Sequence, residues 1–344
     1  MTEPHAIQIL ISIAGAAALL IWAVRLVRTG VERGYAAPMR VWLRHSAQNR
    51  LLAAVTGMGA AVLLQSSTAV AVLISNFVSK GSLTTLAGLA IILGADVGSA
   101  IATQLLMIRQ PLLIPLLILF GVVIFQRGEG TNARQIGRIF IGLALILVSL
   151  EMIRGASAPM ITNPSTQAVM GYLGRDLLTA FIIGAVFAWG VHSSVAAVLL
   201  FVTLASQGLL SVAAAGAMIL GANLGGACIA FVLTLAAPIA ARRVIMANLL
   251  LRGGGAILAM SLIAAMPNLL DYLGKSLNSA NYEPDSIQKV VAPIQALSSL
   301  VLLGEWYENK YQETSNIEFL NKWYALIDRQ IILIEYIRKK IISF

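Results

Sequence analysis

The chain has 344 residues, of which 58% are hydrophobic and only 11% are charged, and its mean hydropathy is +0.85. Soluble domains carry about a quarter charged residues, so this composition excludes an ordinary soluble protein. The net charge of +9 does not indicate nucleic-acid binding, because the basic residues cluster in short stretches between apolar runs. The single cysteine, Cys228, excludes an internal disulfide framework and a cysteine-based zinc cluster. The sequence therefore predicts an integral, multi-pass membrane protein.

Apolar runs of membrane-spanning length recur along most of the chain and predict a bundle of helices. The first run is too long for the core of a signal peptide, so we expect it to be a retained span. In chain order, the predicted segments are 6–28, 51–79, 83–108, 111–126, 136–154, 177–207, 210–237 and 243–266, with a weaker one at 287–304.

Three basic stretches orient these segments: residues 25–50, residues 127–138, and the pair Arg242 and Arg243. The positive-inside rule places all three in the cytoplasm and the N-terminus outside. This arrangement requires that segments 51–79 and 177–207 each enter and leave the membrane on the same side. Each is long enough for two short helices and a turn, so both are predicted to be re-entrant helical hairpins lined by protein or water.

Both predicted hairpins carry a polar triplet at mid-length. The first triplet is Gln65-Ser66-Ser67, and the second triplet is His192-Ser193-Ser194. A shift of 127 residues, from Ser66 to Ser193, aligns the surrounding regions without a gap. The same shift superimposes further glycines: Gly57 on Gly184, Gly81 on Gly208, Gly94 on Gly221, and Gly98 on Gly225. The sequence therefore contains an internal repeat.

Three predicted crossings lie between the two hairpins, and an odd number places the second copy upside down. Inverted repeats with a substrate site at their midplane interface are typical of secondary transporters. We expect the two triplets to lie at hairpin tips that meet near the centre of the bilayer. The predicted fold is an all-α polytopic membrane protein with an inverted repeat, two re-entrant helical hairpins and broken helices.

A second paired motif follows each triplet, at residues 94–99 and 221–226. Its glycines flank a polar residue, Asp96 in one copy and Asn223 in the other. Glycines weaken a helix, and freed carbonyl groups can ligate a cation. Close helix packing through small residues is the alternative interpretation. Asp96 favours function, because a carboxylate inside a membrane is costly.

The predicted organisation has four parts. They are a first transmembrane helix and basic cytoplasmic loop (1–50), repeat 1 with its hairpin (51–154), repeat 2 with its hairpin (177–270), and an atypical C-terminal segment (271–344). The last part is predicted to contain the weaker span and an amphipathic helix at 316–344.

At these motifs the sequence resembles the sodium/phosphate cotransporter family, specifically its type II group and bacterial relatives. That family carries paired Q-S-S motifs on two re-entrant hairpins, each followed by a G-A-N-x-G-T-T-like segment. The resemblance spans roughly residues 5–270. This sequence departs from the pattern at His192, where Gln is usual, and at Asp96, where Asn is usual. The threonine pairs are replaced by Ser99-Ala100 and Gly226-Ala227.

The resemblance implies a sodium-coupled symporter of inorganic phosphate that works by alternating access and is not an enzyme. It also implies a possible homodimer, no cofactor besides the coupling sodium ion, and a bacterial inner membrane. The implied phosphate-binding residues are Gln65, Ser66, Ser67, Thr68, His192, Ser193 and Ser194. The implied cation-binding residues are Gly94, Asp96, Ser99, Gly221 and Asn223. The implied sodium ligands are Ser66, Ser67, Ser193, Ser194, Asp96 and Asn223.

Three alternatives remain open at this point. His192 and Asp96 favour a transporter of another anion or a proton-coupled exporter. An intramembrane enzyme would need His192 to meet Ser66 or Ser67 in space. A transport-inactive regulatory subunit would fit the atypical C-terminal segment. His192 itself is either a donor to the anion or a neutral side chain bonded to the backbone of its own turn.

Overall fold

The computed structural model describes residues 6–107 and 112–265, and within those ranges all regular secondary structure is helical. Single 3-10 turns lie at Ser46–Gln48 and Ala158–Met160. The α-helices are α1 (Ala6–His45), α2 (Arg50–Leu64), α3 (Ser67–Ser79), α4 (Thr85–Met107), α5 (Leu113–Arg127), α6 (Thr131–Ser157), α7 (Pro164–Arg175), α8 (Leu177–Val191), α9 (Ser194–Ser206), α10 (Val212–Leu233) and α11 (Ile239–Ala265).

Five helices in the described ranges are long and apolar enough to cross a membrane: α1, α4, α6, α10 and α11. Helices α7 and α8 form a sixth candidate that is bent by 100° at Asp176. Helices α2, α3, α5 and α9 are shorter apolar helices. These findings confirm the predicted multi-pass helical membrane protein. The re-entrant paths and the inverted orientation of the second copy remain predictions. The predicted elements at 287–304 and 316–344 lie outside the described residues.

The first helix corrects one sequence-based expectation. We predicted a span at 6–28 followed by a basic loop, but α1 continues for 40 residues to His45. Arginine is a good helix former, so a cluster of arginines does not by itself end a helix. Arg28 and Glu32 also form an i,i+4 ion pair at 2.8 Å on this helix. The basic residues therefore project from a helix surface.

The repeat appears in the structure with matching helix boundaries. Adding 127 to the bounds of α2 gives the bounds of α8, and adding 127 to those of α3 gives those of α9. Each copy contains a short helix pair followed by a long helix, α4 or α10. Helix α2 packs along α4, and α8 packs along α10. The two copies thus share local conformation, residue by residue.

Glycines set the close approach of these helices in both copies. A Cβ atom on Gly94 would lie 1.9 Å from the carbonyl oxygen of Ala54, and one on Gly221 would lie 1.9 Å from that of Phe181. Backbone can approach this closely only where no side chain intervenes. The same close contact recurs at Gly57 with Ile91, Gly184 with Met218, Gly98 with Met58, and Gly225 with Ala185.

The glycine segments are therefore not helix breaks. Residues 94–99 lie inside the continuous helix α4, and residues 221–226 lie inside the continuous helix α10. The expectation that these glycines free backbone carbonyls for a cation was wrong. Close helix packing, which the sequence left as the alternative, is what they provide.

Candidate functional site

The first triplet interrupts the helical chain between α2 and α3. Gln65 adopts the left-handed conformation, with φ 51° and ψ 34°, and ends α2. Ser66 is extended, and its Oγ accepts a hydrogen bond from the backbone N–H of Ala69 at 3.1 Å. This is a serine N-cap, which satisfies one of the free N–H groups at a helix start. Ser67 is the first residue of α3.

The second triplet repeats this arrangement between α8 and α9. His192 has φ 56° and ψ 31°, and Ser193 is extended. The Oγ of Ser193 accepts from the N–H of Ala196 at 3.2 Å. Gln65 and His192 are the positive-φ residues other than glycine in the described ranges. Such backbone is uncommon outside glycine, and it clusters at functional positions.

The side chain of Arg252, on α11, brings the two breaks together. Its Nη1 donates to the Oγ of Ser67 and, at 2.8 Å, to the Oδ1 of Asp96. Its Nη2 donates to the Oγ of Ser194 at 3.4 Å and to the Oδ1 of Asn223 at 2.9 Å. We call these five residues the Arg252 junction. The predicted meeting of the two triplets is thus present in the structure.

The junction follows the repeat. Ser194 is Ser67 shifted by 127 residues, and Asn223 is Asp96 shifted by 127 residues. Each terminal nitrogen of the guanidinium therefore contacts the equivalent serine and the equivalent carboxylate or amide of one copy. A planar guanidinium has a twofold arrangement of donors that suits this pairing. Arg252 consequently lies between the two copies of the repeat and contacts the same two positions in each.

The charges at the junction are largely shielded from the exterior. Only 8% of the Arg252 side chain and 13% of the Asp96 side chain are exposed, and Asp96 is the counter-ion of Arg252. Further hydrogen bonds stabilise a buried ion pair, and here the terminal nitrogens of Arg252 also donate to two serines and an asparagine. Removing one partner would leave an uncompensated charge.

Arg252 is the functional candidate that the sequence analysis missed. It stands inside a 27-residue apolar helix, and a charged residue in such a helix is by default a site candidate. That signal was available in the sequence. Its partners were not, because they lie on four other helices.

The remaining predicted phosphate-binding residues have different environments. Gln65 is buried and its Oε1 has no hydrogen-bond partner among the residues that the structure describes, whereas Thr68 donates to the carbonyl oxygen of Gly226 at 3.3 Å. His192 is exposed, and its Nδ1 lies 3.1 Å from the carbonyl oxygen of Gly190 in its own turn. That contact agrees with the structural interpretation of His192. The Ser66 and Ser193 hydroxyls cap helices.

The predicted sodium ligands are only partly brought together, and those that meet surround a guanidinium. Ser67, Ser194, Asp96 and Asn223 do converge, but their oxygen atoms accept hydrogen bonds from the Arg252 guanidinium. Ser99 donates to the Asp96 carbonyl oxygen at 2.8 Å and does not belong to this set. In this conformation the oxygens hold an arginine side chain and do not fit a sodium ion in the same position.

Comparison with known proteins gives the junction a family context. The model of the Na+/Pi-cotransporter family matches residues 19–155 and 157–271, which include both triplets and Arg252. No solved structure matches this chain.

The chain is also similar to proteins from bacteria that are named for phosphate export. The chain is 38% identical over 264 residues to YjbB of Salmonella typhimurium, which is named as a candidate inorganic phosphate export protein. This alignment covers 77% of the chain and 49% of that protein. The chain is also 39% identical over 254 residues to YjbB of Escherichia coli K12, and that alignment covers 74% of the chain and 47% of the relative.

A more distant relative is YqeW of Bacillus subtilis, an uncharacterized protein. The identity is 25% over 228 residues, covering 66% of the chain and 71% of YqeW. The chain spans about half the length of the YjbB proteins that it matches. The extent of the family match nevertheless settles its membership: this chain belongs to the Na+/Pi-cotransporter family.

Proposed function

We propose that the protein transports inorganic phosphate across a membrane and binds the anion at the Arg252 junction. The observation that carries the proposal is that one guanidinium contacts equivalent residues of both copies of the repeat. Membership of the family supports phosphate as the substrate, and the names of the YjbB relatives support it as well.

The junction offers hydrogen-bond donors to an anion. The Ser194 hydroxyl accepts a hydrogen bond from Arg252, so its own proton remains to be donated to an anion. Ser67 and Ser194 are the first residues of helices, where backbone N–H groups lack intrahelical acceptors. Two helix N-termini and one guanidinium therefore favour an anion at this point, while Asp96 limits how tightly it is held.

Alternating access is the proposed mode of transport. Each copy supplies half of the junction, so a movement of one copy against the other would change the side from which the anion is reached. Re-entrant paths for α2–α3 and α8–α9, an inverted second copy, a homodimer and a location in a bacterial inner membrane belong to this proposal.

Sodium coupling, which the sequence resemblance implied, stays a prediction. A second candidate function is phosphate export that does not use sodium. The contact between Arg252 and Asp96 favours it, because a positive charge already occupies the predicted cation ligands. The names of the YjbB relatives are consistent with export.

The test is the flux of labelled phosphate through proteoliposomes that contain the purified protein. We expect Ser66→Ala and Ser193→Ala each to lower the flux about tenfold, since each loosens the break that presents the junction residues. Ser211→Ala is the matched control, because Ser211 is also an N-cap, with its Oγ accepting from the N–H of Ala214 at 3.1 Å. It should leave the flux within about twofold of wild type, although the cap is lost.

Equal losses of flux in all three variants would show that helix capping, and not the breaks, supports transport. Wild-type protein that neither binds nor moves phosphate would overturn the proposed function and favour a regulatory subunit.

A further inference from the structure

We infer that Arg252 is a built-in cation that takes the place of the coupling sodium ion, so that phosphate transport by this protein does not depend on sodium. The inference rests on the proposed function and specifies which cation accompanies phosphate at its site. It follows from the observation that the predicted sodium ligands hold an arginine side chain.

The four ligand oxygens come from Ser67, Asp96, Ser194 and Asn223, and all four are hydrogen-bond acceptors of Arg252. A hard cation draws such oxygens to within roughly 2.3–2.6 Å of itself, as calcium does. The guanidinium occupies the space between them, so a metal ion could enter this oxygen set only if Arg252 left. Two positive charges at one buried point would also repel each other.

Asp96 and Gly226 adapt the site to an arginine. Asp96 contributes the compensating negative charge. Gly226 contributes room: a Cβ atom there would lie 3.4 Å from the Arg252 Nη2 and 3.2 Å from the Ser194 Cβ. A branched side chain at position 226 would extend beyond that Cβ into the space of the guanidinium.

A cation that is part of the chain is not carried across the membrane. Without a travelling sodium ion, the direction of net phosphate flux is set by the phosphate gradient and the membrane potential. A protein built this way moves phosphate outward whenever internal phosphate is in excess, with no opposing sodium gradient to overcome.

The experiment compares sodium chloride with choline chloride in proteoliposomes and in detergent. The variants are Arg252→Gln, which removes the built-in charge, and Arg252→Lys, which keeps it. Arg243→Gln is the control, because Arg243 is exposed on the same helix. Two readouts are taken: the flux of labelled phosphate, and the shift in melting temperature that sodium causes in the absence of phosphate.

For wild type, Arg252→Lys and Arg243→Gln, we expect the phosphate flux of each protein in sodium chloride to lie within about twofold of its own flux in choline chloride. In choline chloride, we expect the phosphate flux of Arg252→Gln to be at least about tenfold lower than that of wild type. In sodium chloride, this variant should recover part of the lost flux. Sodium should raise the melting temperature of Arg252→Gln and leave that of wild type unchanged, because only the variant exposes the oxygen set around Asp96.

Wild-type flux that requires sodium would overturn the inference and leave the proposed function intact. The inference would also fall if sodium stabilised wild type and Arg252→Gln equally. Absence of flux and of phosphate binding in wild type would contradict the proposed function, whereas the melting-temperature comparison would still decide the role of Arg252. If Arg252→Gln does not fold, sodium-dependent flux in Arg252→Lys would equally overturn the inference.

Discussion

The two helix breaks have the same backbone and different surroundings. Gln65 and His192 occupy equivalent left-handed positions. Gln65 is 5% exposed, and its Oε1 has no partner within residues 6–107 and 112–265, whereas His192 is exposed and bonded within its own turn. The serines that follow have the same conformation in both breaks, and the second serine of each contacts Arg252. The comparison shows that the repeat preserves the break and the serines, and leaves the preceding side chain free to differ.

A second difference is the charge on each side of the guanidinium. The first copy offers Asp96 and the second copy offers Asn223, at nearly equal distances of 2.8 and 2.9 Å. The copies are thus matched in geometry and unequal in electrostatics, which places the counter-ion of Arg252 entirely in the first copy.

The largest expected effect comes from that inequality. Asp96→Ala leaves Arg252 buried without a counter-ion and should lower the free energy of unfolding by about 3–5 kcal/mol. Asn223→Ala removes one hydrogen bond to a charged group and should cost about 1.5–3 kcal/mol. Denaturation of the two purified variants measures the difference. Equal losses would mean that the two copies are electrostatically equivalent and would remove the argument for Asp96 as counter-ion.

Next in size is the effect of filling the glycine contacts. Gly94→Ala and Gly221→Ala each place a Cβ atom on a backbone carbonyl and should destabilise the protein by about 1–3 kcal/mol or more. Gly59→Ala, on α2, has open space around its Cβ and should be neutral or stabilising by up to about 1 kcal/mol. The melting temperatures of the three variants in detergent test these expectations. If Gly94→Ala lowers the melting temperature and Gly221→Ala does not, the two copies are not equivalent in their helix packing.

A smaller effect distinguishes the two serines of the junction. The contact of Arg252 with Ser67 is its shortest, and its contact with Ser194 is its longest, at 3.4 Å. We expect Ser67→Ala to reduce phosphate flux about tenfold and Ser194→Ala only about threefold, since a hydrogen bond weakens with length. Initial rates of phosphate flux in proteoliposomes measure both losses. A larger loss in Ser194→Ala than in Ser67→Ala would contradict this expectation and show that the second copy contributes more to the site.

The smallest effect concerns the left-handed residues. Glycine adopts this conformation without strain, so His192→Gly should stabilise the protein by up to about 1 kcal/mol. Gln65→Gly removes a buried side chain as well and should gain less. Phosphate flux in His192→Gly should stay within about twofold of wild type, since the ring contacts the carbonyl oxygen of Gly190 in its own turn. A tenfold loss of flux in this variant would show that His192 contacts the substrate.

Local sequence patterns predicted the breaks and the repeat well, because these depend on neighbouring residues. The triplets at Gln65 and His192 do interrupt the predicted segments, and the 127-residue shift does relate the helix bounds of the two copies. Interpretations that depend on distant partners fared worse. The packing role of Gly94 could not be separated from a helix break without knowing that α2 lies against it.

The long first helix and the role of Arg252 illustrate the same limit. Charge in residues 25–50 indicated a loop, yet α1 continues through this stretch as far as His45. Arg252 was visible as a charge in an apolar run, but its meaning depends on four partners on α3, α4, α9 and α10. Those partners lie between 29 and 185 positions away in the chain.

The most direct test of the account is the distance between bound phosphate and Arg252. Protein labelled with 15N at arginine, in a phosphorus-free detergent, would be examined by 31P–15N dipolar dephasing at saturating phosphate. The account predicts dephasing of guanidinium nitrogens in wild type and Arg243→Lys, and its loss in Arg252→Lys. Dephasing that survives in Arg252→Lys, or bound phosphate that dephases no guanidinium in wild type, would contradict it.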